Sequence, residues 1–148
     1  MKIDTNNPII IYERENGEPG LDVHIEGETV WLSQMQLVDL FQSSKANVSE
    51  HIKNIFNEGE LKKISVVREF RTTARDGKTY TIEHYNLEMI ISLGYRIKSD
   101  TATHFRQWAT ARLREYIVQG FTMNDEFLKN NGGGLYWNET KKQRSFLQ

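Results

Sequence analysis

The chain has 148 residues, of which 38% are hydrophobic and 26% are charged, and this balance predicts one folded domain rather than a disordered chain. It contains no Cys, which excludes disulfides, thiolate metal ligands and a Cys nucleophile. Its formal net charge of -1 excludes a uniformly basic nucleic-acid binder, so any contact with DNA must come from a local cluster of bases.

The amino terminus and the hydrophobic runs bear on localisation. Residues 1–8 lack the apolar stretch of a signal peptide, and no run approaches the roughly 18 apolar residues of a membrane span. We therefore expect a protein that is neither exported nor embedded in a membrane, with the cytoplasm as its default location.

The first third of the chain consists of short apolar runs with strand-like alternation. The runs cover residues 9–12, 21–25 and 29–32, and Gly-containing turns separate them. Alternating runs joined by such turns are typical of a small antiparallel sheet. We assign residues 1–31 to an amino-terminal β-hairpin region.

The pattern changes to helical spacing at Ser33, which can cap a helix that ends near Phe41. A short polar turn follows, and a second amphipathic helix ends before Gly59; its apolar positions are Val48, Ile52, Ile55 and Phe56. Two short helices with a tight turn indicate a helix-turn-helix over residues 32–56. Gln42 occupies the position where this motif usually has Gly, and His51 occupies a position that is usually aliphatic.

A β-hairpin is predicted after the two helices, because strand-like runs flank the turn Arg75-Asp76-Gly77-Lys78. Helix, turn, helix and hairpin in this order are the connectivity of a winged helix-turn-helix. We therefore predict an α+β fold with a small antiparallel sheet, a winged helix-turn-helix and a long packing helix, the latter two within residues 32–121.

The second half of the chain is predicted to be mainly helical. Asn86 can cap a short helix that ends at Gly94, and a longer helix begins near Ser99 or Thr101 and ends at Gly120. Its apolar stripe is spaced by threes and fours, which favours core packing over base stacking; the stripe is Phe105, Trp108, Ala109, Leu113, Tyr116 and Ile117. Residues 122–148 are predicted to form a short helix, a Gly-rich break at 132–134 and a polar tail.

The candidate DNA-binding residues lie on the second predicted helix and on the hairpin. Asn47 can pair with adenine, Lys45 can meet guanine or phosphate, and basic side chains near a hairpin tip can follow a phosphate backbone. A solvated polar surface would show the same residue types. The full candidate set is Ser44, Lys45, Asn47, Ser49, Lys53, Arg71, Arg75 and Lys78.

An enzymatic function is not expected. The four histidines, at 24, 51, 84 and 104, have no metal-ligand spacing, and no Ser or Asp has the context of an activated nucleophile. The Gly run at 132–134 follows no predicted strand and therefore does not indicate a phosphate-binding loop. We expect no catalytic residues, no metal and no cofactor.

Several runs together resemble the virulence-protein RhuM family. They are residues 48–56, 58–61, 76–80, 85–87, 94–96 and 105–110, and as an ordered set they cover about residues 32–120. The resemblance implies a bacterial protein, often encoded on a mobile or pathogenicity island, with a DNA-binding amino-terminal region and no known activity. The helix at 105–110 is also similar to the amino-terminal domains of phage antirepressors.

Two functions from different classes follow from these observations. The first is sequence-dependent binding of double-stranded DNA in transcriptional or mobile-element regulation. The second is an antirepressor-like protein-protein interaction module that makes no direct contact with DNA, for which the near-neutral charge is no obstacle. Partner proteins under these hypotheses are a second copy of the chain, giving a homodimer, or a repressor.

Overall fold

The computed structural model describes residues 8–14 and 17–130, and for residues 118–130 it describes the backbone alone. The strands are β1 (Ile9–Tyr12), β2 (Leu21–Glu26), β3 (Thr29–Ser33), β4 (Val67–Thr73) and β5 (Thr79–Asn86). The helices are α1 (Gln34–Leu40), α2 (Lys45–Asn57), α3 (Lys63–Val66), α4 (Leu87–Ile97) and α5 (Ser99–Asn130). The predicted α+β class is confirmed.

The strands form one antiparallel sheet in the order β1-β2-β3-β5-β4. The amino-terminal strands were predicted as a sheet of their own, whereas β3 pairs with β5 through Trp31 with Asn86, Leu32 with Tyr85 and Ser33 with His84. This pairing joins the predicted hairpin to the amino-terminal sheet. It links residues more than fifty positions apart, which no local alternation of apolar residues encodes.

Side-chain caps begin both α1 and α2. The Ser33 hydroxyl accepts a hydrogen bond from the backbone N–H of Gln36, and the Gln36 side chain accepts one from the backbone N–H of Ser33, which is a complete capping box. The Ser44 hydroxyl caps α2. Residues 41–44 connect the helices, and Gln42 has a φ of 51° there, so the turn does use a left-handed residue although it is not Gly.

Helices α4 and α5 correct two predicted helix ends. Helix α4 continues through Gly94 to Ile97, and α5 continues through Gly120 to Asn130. A Cβ on Gly94 would lie 2.5 Å from Ala102 Cβ and 2.7 Å from Phe41 Cζ. Gly94 is therefore required for close packing of α4 rather than for ending it. The predicted Gly-rich break at 132–134 lies outside the described residues.

The core lies between one face of the sheet and the helices. Side chains from β2 and β3 contribute Val23, Ile25, Val30 and Leu32, all essentially inaccessible to solvent. The α5 stripe contributes Ala102, Phe105, Ala109 and Leu113, which confirms that the aromatic helix packs in the core. The stripe was predicted to extend to Tyr116 and Ile117; this is wrong, because they are 45% and 40% exposed.

The chain divides into two units, residues 1–113 and 114–148. The first holds the sheet, helices α1 to α4 and the first half of α5. Within the described residues, no helix is both long and apolar enough to cross a membrane.

Candidate nucleic-acid interface

The start of α2 is a small network of polar side chains. Ser44 Oγ accepts a hydrogen bond from the backbone N–H of Asn47 at 3.0 Å, and the Asn47 side-chain amide donates to Ser43 Oγ at 2.8 Å. All three residues belong to the connection between α1 and α2 or to the first turn of α2. The Asn47 side chain is therefore held in a defined orientation while its residue remains exposed to solvent.

The outer face of α2 is polar and exposed, whereas its inner face is buried. Val48, Ile52 and Ile55 pack into the core, and this packing leaves the other side of the helix in solvent. The exposed positions are Lys45, Ala46, Asn47, Ser49, Glu50, Lys53 and Asn57. Among them Ala46 and Ser49 are small, so a partner can approach the helix backbone closely.

His51 is the exception on α2, because it is half-buried and its Nδ1 is enclosed without a hydrogen-bond partner. The sequence pattern placed it where a helix-turn-helix usually has an aliphatic residue. It lies on the side of the helix that packs on the rest of the domain.

The helical pair α1–α2 is attached to the rest of the domain by ion pairs, one on α1 and one set at the end of α2. Arg14 makes a bidentate contact with Asp39 on α1, at 3.0 and 2.7 Å, and these hydrogen bonds hold the pKa of Asp39 below its usual value. At the other end of α2, Arg96 on α4 contacts Glu58 at 2.5 Å and Glu60 at 2.8 Å. The hydrogen bond from Arg96 also lowers the pKa of Glu60.

The β4–β5 hairpin has a turn that exposes basic side chains to solvent. The backbone N–H of Ala74 donates to the Lys78 carbonyl and that of Gly77 to the Ala74 carbonyl, with Gly77 at a φ of 82°. Asp76 is occupied within the turn, because its carboxylate accepts from the backbone N–H of Lys78 at 2.9 Å. Arg75 is exposed in the same turn, and Arg71 is exposed on β4, four residues before it.

The structure thus places the eight predicted residues in two groups. Ser44, Lys45, Asn47, Ser49 and Lys53 lie on α2 or at its cap, and Arg71, Arg75 and Lys78 lie on the hairpin. All eight are exposed. Across the part of the chain that is described, no hydrogen bond or ion pair joins one group to the other, and none of the five basic side chains is in an ion pair.

Sequence reasoning missed one polar residue of this surface, Ser43, and it identified Asp76 as part of the turn without the contact that its carboxylate makes. Ser43 receives the Asn47 amide, and Asp76 organises the hairpin turn. A Ser-Ser pair before a helix is a signal for a cap with a second acceptor, and Asp before Gly is a signal for a side-chain-stabilised turn. Both signals were present in the sequence, but the sequence does not reveal which neighbour each side chain contacts.

A cavity of mixed polar and apolar lining lies beside the α1–α2 turn. It has a volume of about 390 Å³ and is lined by residues from β1, the turn and the start of α5, including Arg14, Gln42 and His104. The Tyr12 hydroxyl is hydrogen-bonded to His104 Nδ1. Among the described residues, no group of three or more His, Cys, Asp or Glu side chains could hold a metal ion.

The fold and this surface define an α+β protein whose eight candidate DNA-binding residues lie on α2 with its cap and on the β4–β5 hairpin. A model of the virulence protein RhuM family matches residues 65–144, more than half of the chain. The chain therefore belongs to the virulence protein RhuM family. The match begins at Ser65, so helices α1 and α2 lie outside it. No curated protein and no solved structure matches the chain.

Proposed function

We propose that this protein binds double-stranded DNA through a winged helix-turn-helix, with α2 as the recognition helix and the β4–β5 hairpin as the wing. The proposal rests on two features of one small domain. The first turn of α2 is exposed and holds the Asn47 side chain in a fixed orientation, and the hairpin presents the basic side chains of Arg71, Arg75 and Lys78, none of which is in an ion pair. The order of the elements matches the motif. DNA binding of this kind is a regulatory function in transcription or in the control of a mobile element.

In this proposal the two groups have different tasks. Asn47 on α2 reads base edges in the major groove, since an amide can pair bidentately with adenine. The hydrogen bond from the Asn47 amide to Ser43 already restricts this side chain, so less conformational entropy is lost when it binds a base. Arg71, Arg75 and Lys78 on the hairpin contact phosphates, which fixes the position of the protein but carries no sequence information.

Salt dependence tests the proposal directly. Binding of the full chain to mixed-sequence duplexes, measured by fluorescence anisotropy, is expected to weaken as salt rises. With three to five phosphate contacts the loss is roughly 40- to 500-fold between about 50 and 200 mM salt. No binding at low salt, or an affinity that does not change with salt, would refute DNA binding.

Two substitutions separate base reading from phosphate contact. Asn47→Ala is expected to reduce discrimination between the preferred and a mismatched duplex by about 1–3 kcal/mol. Arg75→Ala is expected to weaken binding to all duplexes alike and to lower the salt slope by about one. Arg106→Ala removes an exposed basic side chain from α5 and is the matched control, for which no change in DNA affinity or salt slope is expected. Equal and uniform losses from Asn47→Ala and Arg75→Ala would mean that α2 does not read bases.

The second candidate is an antirepressor-like protein-protein interaction module. It is favoured by the net charge of -1 and by two strongly exposed apolar side chains, Met35 on α1 at 73% and Ile64 on α3 at 91%. Under this alternative, Met35→Ala and Ile64→Ala weaken capture of a repressor partner, and binding depends little on salt. This alternative is excluded if Arg75→Ala loses DNA binding while Met35→Ala and Ile64→Ala both retain full DNA binding.

A further inference from the structure

The face of the sheet that points away from the core contains a cluster of four rings, each on a different strand. They are His24 on β2, Trp31 on β3, Phe70 on β4 and His84 on β5. His24 stacks on Phe70 with ring centroids 5.2 Å apart, and Phe70 meets the edge of His84 at 4.7 Å. Trp31 closes the cluster, 5.8 Å from Phe70. The cluster therefore connects the hairpin strands β4 and β5 to the amino-terminal strands.

The two histidines are enclosed in this cluster. His84 is 4% exposed, and its ring Nδ1 is 3.0 Å from the Ile82 carbonyl, a contact that the neutral N–H tautomer makes by donating. The His24 ring lies 5.2 Å from the His84 ring, and its Nδ1 is buried with no hydrogen-bond partner. A proton added to His24 Nδ1 would have no acceptor in the protein.

Few charged groups face these rings. On β2, Asp22 and Glu26 lie on the same face as His24, and on β4 Arg68 lies above the Phe70 ring at 5.9 Å. Glu26 is already paired with Arg68 at 2.9 Å. The strand β1 presents Ile9 opposite His24, and β3 presents Ser33 opposite His84, neither of which is charged. Asp22 is thus the one described carboxylate on this face that is left to stabilise an added charge.

We propose that His24 and His84 form an acid-sensitive switch that holds the β4–β5 hairpin against the amino-terminal strands when both rings are neutral. Protonation of either ring places a charge among apolar rings, and the second proton is resisted by the first because the rings are neighbours. The cost is relieved when the cluster separates, so the hairpin is released from β3 as the pH falls.

The direction of the pH dependence follows from the environment of the two rings. Burial lowers the pKa of both His24 and His84 below 6.5, with the neighbouring His84 adding to the effect at His24 and Asp22 opposing it. The unfolded chain therefore binds more protons than the folded one below about pH 6.5. The stabilisation is complete above that pH and is lost as the pH falls from it through the folded-state values.

Hydrogen-deuterium exchange of the full chain tests the switch without any ligand. Between about pH 7.5 and pH 5, after correction for the intrinsic pH dependence of exchange, peptides covering residues 67–86 are expected to lose protection about tenfold or more. Peptides covering α4 are expected to stay protected. The double variant His24→Phe with His84→Phe keeps two rings of similar shape and is expected to abolish this loss. His51→Gln, a histidine outside the cluster, is the matched control and is expected to retain it.

Unchanged protection of the hairpin at low pH, or an equal loss in the double variant, overturns the switch. The ring protons of His24 and His84 in the native chain give a second measurement by NMR that needs no variant. Both are expected to titrate below 6.5, and titration at or above that value also overturns the proposal. Because neither measurement uses DNA, a failure of DNA binding leaves the switch intact and a failure of the switch leaves DNA binding intact.

Discussion

The helical pairs α1–α2 and α4–α5 differ in how their two helices meet. In α1–α2 the connection is exposed, contains the left-handed Gln42 and presents polar side chains. In α4–α5 the two helices cross at Gly94 and Ala102 with no space for a methyl group. The difference indicates that the second pair supplies stability, whereas the first tolerates backbone strain beside a surface that is available for binding.

The two pairs meet at Phe41, the residue that follows α1. Its side chain is 1% exposed and lies against the position where a Gly94 Cβ would be. The α1–α2 turn is thus anchored by a ring that packs into the α4–α5 crossing. This contact connects the candidate binding surface to the close approach of α4 and α5 at Gly94.

The largest expected effect comes from filling the α4–α5 crossing. Gly94→Val would force α4 away from Ala102 and Phe41, and we expect the free energy of unfolding to fall by about 3 kcal/mol or more. Urea unfolding followed by circular dichroism measures the change. Thr110→Val introduces the same side chain at an exposed site on α5 and should stay within about 0.5 kcal/mol of the parent. Similar stability of both variants would show that the crossing is loose.

A medium effect is expected from the helix caps, and it should differ between the pairs. Asn86 is 7% exposed, accepts from the backbone N–H of Met89 and donates to the Ser65 carbonyl. Asn86→Ala is expected to cost about 2 kcal/mol, because it removes a cap and also removes the hydrogen bond to the Ser65 carbonyl.

Ser44→Ala is the corresponding change in the exposed pair, and it is expected to cost about 1 kcal/mol or less. The same unfolding experiment compares the two caps. If Ser44→Ala lowers the free energy of unfolding more than Asn86→Ala does, α1–α2 rather than α4–α5 is the pair that stabilises the domain.

The smallest effect is expected at the strained turn. Gln42→Gly removes a left-handed side-chain clash but also removes the hydrogen bond from Gln42 Nε2 to the Asp39 carbonyl, so a net gain of about 0.5 kcal/mol is expected. Glu28→Gly, at a φ of 64° in the β2–β3 turn, is the matched change. If Gln42→Gly destabilises the protein while Glu28→Gly does not, the side-chain bond of Gln42 outweighs its strain.

Much of the fold could be predicted because its signals are local. Alternating apolar residues correctly indicated β1, β2 and β3, the Asp-Gly turn indicated the β4–β5 hairpin, and Ser33 and Asn86 indicated helix starts that the structure confirms. The single-turn helix α3 was not predicted, because four residues are too few to give a helical period. The exposure of the eight candidate residues followed from the helical and strand periods, whereas their contact with DNA stays a prediction.

The sequence by itself determined where β1, β2, β3, α1 and α4 begin, because capping and apolar periodicity depend on neighbours within a few residues. Only the tertiary structure decided the pairing of β3 with β5, the four-ring cluster across the sheet and the continuation of α4 through Gly94. Gly ends a helix in solvent, where its left-handed freedom is used, but in a helix crossing the absence of a Cβ allows close packing instead. The α1–α2 and α4–α5 pairs therefore differ in what surrounds them, which local sequence signals do not show.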